Sequence, residues 1–329
     1  MRYRTLGRTG LQVSELGLGG LFVSRFGGDR AQSTAAVQRA LDLGVNWVDT
    51  APGYADSEEV LGLALSGVTQ PYSLSTKLGG RPQPFDPKDK AALRRSVEES
   101  LRLLKRDHID LLMVHEPDRP GQYDWWDDWE SFHGPVRELL NELKQEGVII
   151  WTGLGGTTAY ELPRIMATGA FDVALTAFNY SLLWREAAIA VLPEAERQGM
   201  GVIAGSPLQQ GALARRYDDE VESGAPWLSP PRREQYRRLY ALVDAVGIPL
   251  PELGLRFVLS EPRVSMTLMG ARSVEEVEAN VAAVEKGPLP PDLLAQLQEI
   301  ADMVPFRPCE EPFSPPFGRL YKGPGVAGR

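Results

Sequence analysis

The chain has 329 residues, 43% hydrophobic and 24% charged, enough apolar material for a large core in one domain, a length that α/β barrels commonly reach as a single unit. Its 35 basic and 44 acidic residues give a formal net charge of −9 with no basic block, so nucleic acid and anionic membrane surfaces are not expected partners. The single Cys309 excludes an intrachain disulfide, no apolar run reaches membrane-spanning length, and MRYRTLGRTG lacks the apolar stretch of a secretion signal, so the cytoplasm is the expected location.

Read in chain order, short β-rich runs alternate with helical periods, which is the pattern of a parallel sheet with crossover helices. The segments Tyr3-Arg4-Thr5-Leu6 and Gln12-Val13-Ser14 around the turn Gly7 to Gly10 predict a hairpin that caps the barrel bottom. Strands are expected at 15–19, 45–49, 73–77, 109–115, 149–154, 173–178, 202–206 and 265–269. Eight such strands predict a (β/α)8 TIM barrel. Helices are expected at 30–43, 57–65, 89–104, 135–146, 158–168, 186–197, 235–246 and 273–284, followed by an extra C-terminal helix over 292–303 and a Pro/Gly-rich tail from Pro305 to Arg329. Within 91–104, Leu93, Val97, Leu101 and Leu104 recur at helical spacing, so that face is assigned to the core.

Asp49 in WVDTAPGY, Lys77 in LSTKLGG and His115 in DLLMVHEPD each end an apolar strand-like run, and Tyr54 follows Asp49 by five residues. In a parallel barrel such positions face one mouth. Singly, each has an ordinary reading: a solvated strand end, a turn residue before Pro52-Gly53, a histidine satisfying a backbone group. Jointly they suit proton transfer. A free phenol titrates near ~10 and donates poorly unless a cation stabilises its phenolate. Lys77 supplies the cation, Asp49 holds it charged, and His115 directs a substrate oxygen. None of the four supplies hydride, so a nicotinamide cofactor is implied, and no metal site is expected.

These residues lie in an ordered series: YRTLGRTGLQVSELGLGG, DTAPGY, STKLG, SVEESLRLLKRDHIDLLMVHEPD, ELKQEGVI, SPLQQGAL and MGARSVEEVEANV. The series resembles the aldo-keto reductase superfamily, with its sugar or aldose dehydrogenase-like branch as one possibility. The resemblance implies a catalytic tetrad of Asp49, Tyr54, Lys77 and His115, with Tyr54 as general acid. It also implies a cofactor site from Gly19, Gly20, Asp49, Asn179, Ser206, Pro207, Leu208, Gly270, Arg272, Ser273, Glu276 and Asn280.

Gly19-Gly20 does not open a GxGxxG dinucleotide fingerprint. The expected anion site is the helix start GARSVEEVEAN, with free backbone N–H groups and Arg272. Arg272 favours a 2′-phosphate, hence NADP; Glu276, one turn on, would repel it and suits the ribose hydroxyl of NAD. NADP is the preferred expectation. Three positions depart from the commoner family pattern: Gly155-Gly156 for Ser-Asn, Ala177 for Gln, and Gly205 for the ring-stacking aromatic. Asn179, Thr157 or backbone groups are then left to hold the nicotinamide amide.

The segment Glu116 to His133 crowds Tyr123, Trp125, Trp126 and Trp129 among acidic residues directly after His115. It reads as an aromatic wall of a substrate pocket that includes Tyr54, His115, Tyr123, Trp125 and Trp126, or equally as a lid on outer helices or a subunit contact. Two functions follow. One is an NAD(P)-dependent oxidoreductase acting on an aldehyde, ketone or sugar lactol; the other is a non-catalytic, cofactor-sensing interaction protein of the same fold. Oligomeric state is not readable from the sequence.

Overall fold

The computed structural model describes residues 1–225 and 228–305. The tail from 306 onward, with Cys309, lies outside the described residues. The chain opens with β1 (Tyr3–Thr5) and β2 (Gln12–Ser14), paired antiparallel. There follow β3 (Leu16–Gly19), α1 (Arg30–Asp42), β4 (Trp47–Asp49), α2 (Ser57–Ala64), β5 (Ser73–Leu78), α3 (Lys90–Leu104), β6 (Ile109–His115), α4 (Pro135–Gln145), β7 (Ile149–Gly156), α5 (Glu161–Met166), β8 (Val173–Ala177), α6 (Val191–Gln198) and β9 (Gly201–Gly205). Then come α7 (Asp218–Ser223), α8 (Pro230–Val246), α9 (Leu250–Leu259), β10 (Met266–Met269), α10 (Val274–Glu285) and α11 (Pro291–Asp302).

Strands β3 to β10 close into a parallel barrel in the order β10-β3-β4-β5-β6-β7-β8-β9. The hairpin plugs its bottom: Leu6 and Val13 join Trp47, Leu111, Met113, Val173, Ile203 and Met266 in one buried cluster inside the barrel. Alternate residues such as Leu112 and Val114 point outward into the layer under the helices. Two larger clusters fill that layer and hold most of the core. Among the described residues no helix is long and apolar enough to cross a membrane.

All eight expected strands form, with ends moved by no more than two residues. The helices differ in three places. The expected single helix before the last strand is three, and the one lying against β10 and α10 is α9; α8 packs with α11 as an addition to the barrel. Almost every residue of α9 is buried, so no polar stripe betrays its period, and Pro251 in its first turn reads as a breaker although that position suits proline. Second, α5 starts three residues late because the Thr158 N–H and hydroxyl both donate to Asp118 instead of entering a helix. Third, the expected 186–197 helix divides into a 3-10 turn, Glu186–Ala188, and α6.

Candidate active site

The inward positions nearest the C-terminal mouth divide into two halves. Asp49, Lys77 and His115 end β4, β5 and β6, on neighbouring strands, whereas Gly155, Ala177, Gly205 and Gly19 occupy the corresponding region of β7, β8, β9 and β3. One side of the mouth is therefore charged and the other nearly bare of side chains.

Lys77 Nζ donates to Asp49 Oδ2 and to the Thr50 carbonyl, both at 2.7 Å, with side chains only 1% and 2% exposed. The Ser75 hydroxyl donates to the other Asp49 oxygen at 2.7 Å and accepts from Trp47 Nε1 at 3.2 Å. Ser75 and Trp47 lie two residues before Lys77 and Asp49, so strand alternation turns all four inward. Burial pulls the Lys77 pKa down, but the Asp49 carboxylate and Tyr54 outweigh it and the net direction is up. The ammonium is thus retained at neutral pH.

Tyr54 sits in the loop after β4, its ring 4.8 Å from Lys77 Nζ and edge-on to His115 at 5.9 Å between centroids. Burial raises its pKa; the Lys77 charge opposes this, while Asp49 and Glu116 add to it. The loop is fastened from below, where Thr50 Oγ1 donates to Ser57 Oγ and Ser57 Oγ donates to the Gly20 carbonyl. Gly20 is required there, since an added Cβ would come within 2.7 Å of the Asp49 carbonyl oxygen. Burial, with the Lys77 charge, lowers the His115 pKa to about 3, so the imidazole is neutral in ordinary conditions. Its Nδ1 is buried without a hydrogen-bond partner among the described residues.

The remaining expected residues fall at the same mouth in different roles. Ser206, Pro207 and Leu208 form the turn after β9, with Ser206 left-handed at φ 53°. Asn179 is buried, its Nδ2 donating to Thr176 Oγ1 at 3.1 Å, so it braces the end of β8. At the start of α10, Ser273 caps the helix by accepting from the Glu276 N–H, and Glu276 Oε2 accepts from the Arg272 N–H at 2.7 Å. The Arg272 guanidinium stacks on Phe22, 4.5 Å from the ring centre, and no acidic side chain pairs with it among the described residues. Phe22 also approaches Gly270, where an added Cβ would meet the ring at 2.8 Å. Asn280 turns back toward Met269.

Tyr123 reaches the mouth: an added Cβ on Gly80 would lie 3.4 Å from its hydroxyl. Trp125 lies behind it against Phe85, and Trp126 packs with Phe132 and Phe171 in the outer core. Both indoles are at most 1% exposed. The sequence left a pocket wall, a lid on outer helices and a subunit contact equally open for them; the structure buries both rings in the outer layer, with their N–H groups donating to the His115 and Pro117 carbonyls.

Sequence reasoning missed Asp118. Its buried Oδ2 accepts from Thr157 N, Thr158 N and Thr158 Oγ1 at 2.9, 2.6 and 2.7 Å, which fixes the exit of β7. A Cβ on Gly156 would lie 2.9 Å from that oxygen and 2.7 Å from Leu162. At this departure from the family pattern the tips of Leu162 and Asp118 thus crowd position 156, and a Ser or Asn side chain there requires them to shift. The side-chain hydroxyl of Thr157 itself is buried and without a hydrogen-bond partner among the described residues.

Fold and mouth together define a (β/α)8-barrel protein whose C-terminal mouth holds a buried lysine–aspartate pair beside a tyrosine and a histidine. The model of the Aldo/keto reductase family matches residues 15–302, and the chain belongs to that family. It is 31% identical to L-galactose dehydrogenase of Arabidopsis thaliana, over 85% of this chain and 87% of that protein. A putative voltage-gated potassium channel subunit beta of Schizosaccharomyces pombe is 29% identical, with 92% of this chain and 94% of that protein covered. Among solved structures, aldo-keto reductase AKR11C1 from Bacillus halodurans, in its holo form, superposes with a TM-score of 0.75 at 28% identity, covering 95% of this chain and all of that one.

Proposed function

We propose that the chain is an NAD(P)(H)-dependent oxidoreductase that interconverts a carbonyl and an alcohol, acting on an aldehyde, ketone or sugar lactol, with Tyr54 as general acid in reduction and general base in oxidation. The observation that carries this reading is the dry Lys77–Asp49 pair beside the Tyr54 phenol. A permanently charged ammonium next to a phenol stabilises the phenolate left when the proton departs, and preorganised charge in a low-dielectric site acts strongly.

The residues present fit a nicotinamide dinucleotide. The bare half of the mouth leaves space for a flat ring, and the unpartnered Thr157 hydroxyl and His115 Nδ1 leave polar atoms at its rim. At the other end, Arg272, Ser273 and the first N–H groups of α10 would hold the adenosine phosphate. When bound, the nicotinamide supplies or accepts the hydride. Everything else falls to the protein. His115, neutral, would hydrogen-bond the substrate oxygen and aim it at Tyr54; Tyr54 would give that oxygen its proton; Lys77 would stay charged throughout, held by Asp49 and the Thr50 carbonyl.

NADP is the preferred cofactor, supported by a guanidinium that is stacked and has no acidic partner among the described residues, although the Glu276 carboxylate at the same helix start works against it. The test follows nicotinamide absorbance with a panel of aldehydes, ketones and sugars. Turnover is expected with at least one of them. Tight dinucleotide binding without turnover of any would favour the second reading, a cofactor-sensing interaction protein, for which the similarity to a channel subunit is the supporting observation.

A further inference from the structure

We propose that Ser75 is a positioning residue for the proton transfer: with the Trp47 indole behind it, its hydroxyl fixes the Asp49 carboxylate and so sets how much of the Lys77 charge is left for Tyr54. This inference rests on the oxidoreductase reading above. Strands β4 and β5 pair with Asp49 opposite Ser75, so the two side chains leave neighbouring strands toward the same interior. Three linked hydrogen bonds result. Trp47 Nε1 donates to Ser75 Oγ at 3.2 Å, Ser75 Oγ to Asp49 Oδ1 at 2.7 Å, and Lys77 Nζ to Asp49 Oδ2 at 2.7 Å. None of the four residues is more than 2% exposed.

The direction of this chain follows from its donors. An indole N–H can only donate, and a serine hydroxyl carries one proton. With the indole N–H on its oxygen, Ser75 commits that proton to Asp49. A buried indole needs an acceptor, and a backbone carbonyl serves it well. Trp125 and Trp126 use carbonyls, those of His115 and Pro117. Trp47 instead donates to a side chain that itself donates to the buried ion pair, so its N–H bears on the centre and not only on packing.

Lys77 has three N–H donors. Among the described residues one goes to Asp49 and one to the Thr50 carbonyl, and the third is left on the side of Tyr54. Of the titratable groups around the phenol, Asp49 on β4 and Glu116 just beyond β6 are acidic and His115 at the end of β6 is neutral, so Lys77 on β5 is the one cation among them. Its field at the phenol is weakened by whatever negative charge Asp49 turns toward it. A hydroxyl donating to the far oxygen draws that charge away. Without the hydroxyl the carboxylate is free to rotate and its charge falls on the ammonium alone, which leaves the phenolate less stabilised and Tyr54 a weaker acid.

The test follows single-turnover reduction against pH in protein loaded with NADPH or NADH, whichever binds more tightly, using the fastest of glyceraldehyde, butyraldehyde and cyclohexanone. Wild type, Ser75→Ala, Ser75→Thr and Trp47→Phe are compared. Reduction falls at high pH as the general acid loses its proton. Ser75→Ala should move that limb up by at least ~0.5 pH unit, and Trp47→Phe, which keeps an aromatic ring without the N–H, should move it the same way by less. Ser75→Thr keeps the hydroxyl and should hold the wild-type limb. A side chain that only packs would lower the rate equally at every pH. A limb unmoved in Ser75→Ala therefore overturns the inference and leaves the oxidoreductase reading standing; if circular dichroism shows that variant unfolded, the limb of Trp47→Phe decides by the same criterion. Turnover in Tyr54→Phe with an unchanged limb, or no turnover of any carbonyl or sugar by the wild type, overturns both.

Discussion

Lys77→Met separates the structural and chemical duties of the buried ion pair. The substitution keeps the volume of the stem but strands the Asp49 carboxylate, 2% exposed, with the Ser75 hydroxyl still donating to it and no other ion-pair partner among the described residues. Removing one partner of a buried pair costs about 3–5 kcal/mol, because the remaining charge is left unneutralised. The Thr50 carbonyl loses its donor as well, which adds roughly 1–3 kcal/mol. The second change, Asp49→Asn in the Lys77→Met background, removes the stranded charge and should recover at least ~2 kcal/mol of that loss, a coupling expected of contacting residues. Urea unfolding followed by circular dichroism gives the stabilities, with unchanged m values as the check that the same surface unfolds. Turnover should be absent from both the single and the double variant, since Tyr54 has lost its cation in each. A single variant destabilised by less than ~1 kcal/mol, or a double variant with no recovery, would refute the dry-pair geometry. An active Lys77→Met protein would show that Tyr54 is activated by another route.

Three further outcomes are expected. Tyr54→Phe should cut turnover by ~10²–10⁴ while leaving dinucleotide affinity, read by fluorescence titration, within a few-fold of wild type. His115 is depressed from 6.5 to about 3 in the folded chain, so between those values the unfolded chain binds the proton and the folded one does not; its stabilising contribution is complete above pH 6.5 and is lost as pH falls. Unfolding free energies should therefore show His115→Gln losing about 3 kcal/mol less than wild type on going from pH 6.5 to pH 4. Arg272→Ala should weaken NADP binding by about 1.5–3 kcal/mol and spare NAD, whereas Glu276→Gln should strengthen NADP. Tighter wild-type binding of NAD, unaltered by Arg272→Ala, would instead assign Glu276 to the ribose.

The barrel was legible because its signals are local. Runs such as Leu111 to Val114 are apolar on both faces, as a strand buried in a closed barrel requires, and the first polar residue after each run marks the mouth. Ser75 and Trp47 were readable by the same alternation, two positions upstream of Lys77 and Asp49. The helix α9 was not, since its burial on nearly all sides erases the amphipathic period. The contacts of Asp118, Trp125 and Trp126 were beyond reach for another reason: their partners, Thr157 and Thr158 for the acid and the His115 and Pro117 carbonyls for the indoles, are chosen by how loops fold back over the mouth, and neither propensity nor spacing encodes that. The two tryptophans show this most clearly. Aromatic rings after a strand end look the same in sequence whether they face a pocket or hold up the chain that does.

The bareness opposite the charged strands has a consequence for how this barrel can change. Gly155, Ala177 and Gly205 contribute no functional group to the mouth, so what occupies that half is chosen by shape and by backbone atoms. A Cβ on Gly155 would find only ordinary contacts, the nearest being 3.6 Å from the Lys77 stem, while one on the neighbouring Gly156 would press on the tips of Leu162 and Asp118. The two adjacent glycines thus differ in kind, one facing open contacts and the other a crowded layer. Mutational libraries at 155 should yield folded barrels of altered occupancy, whereas those at 156 must displace Leu162 or Asp118 and should lose stability, so the floor of the mouth is redesigned more readily from the inward face.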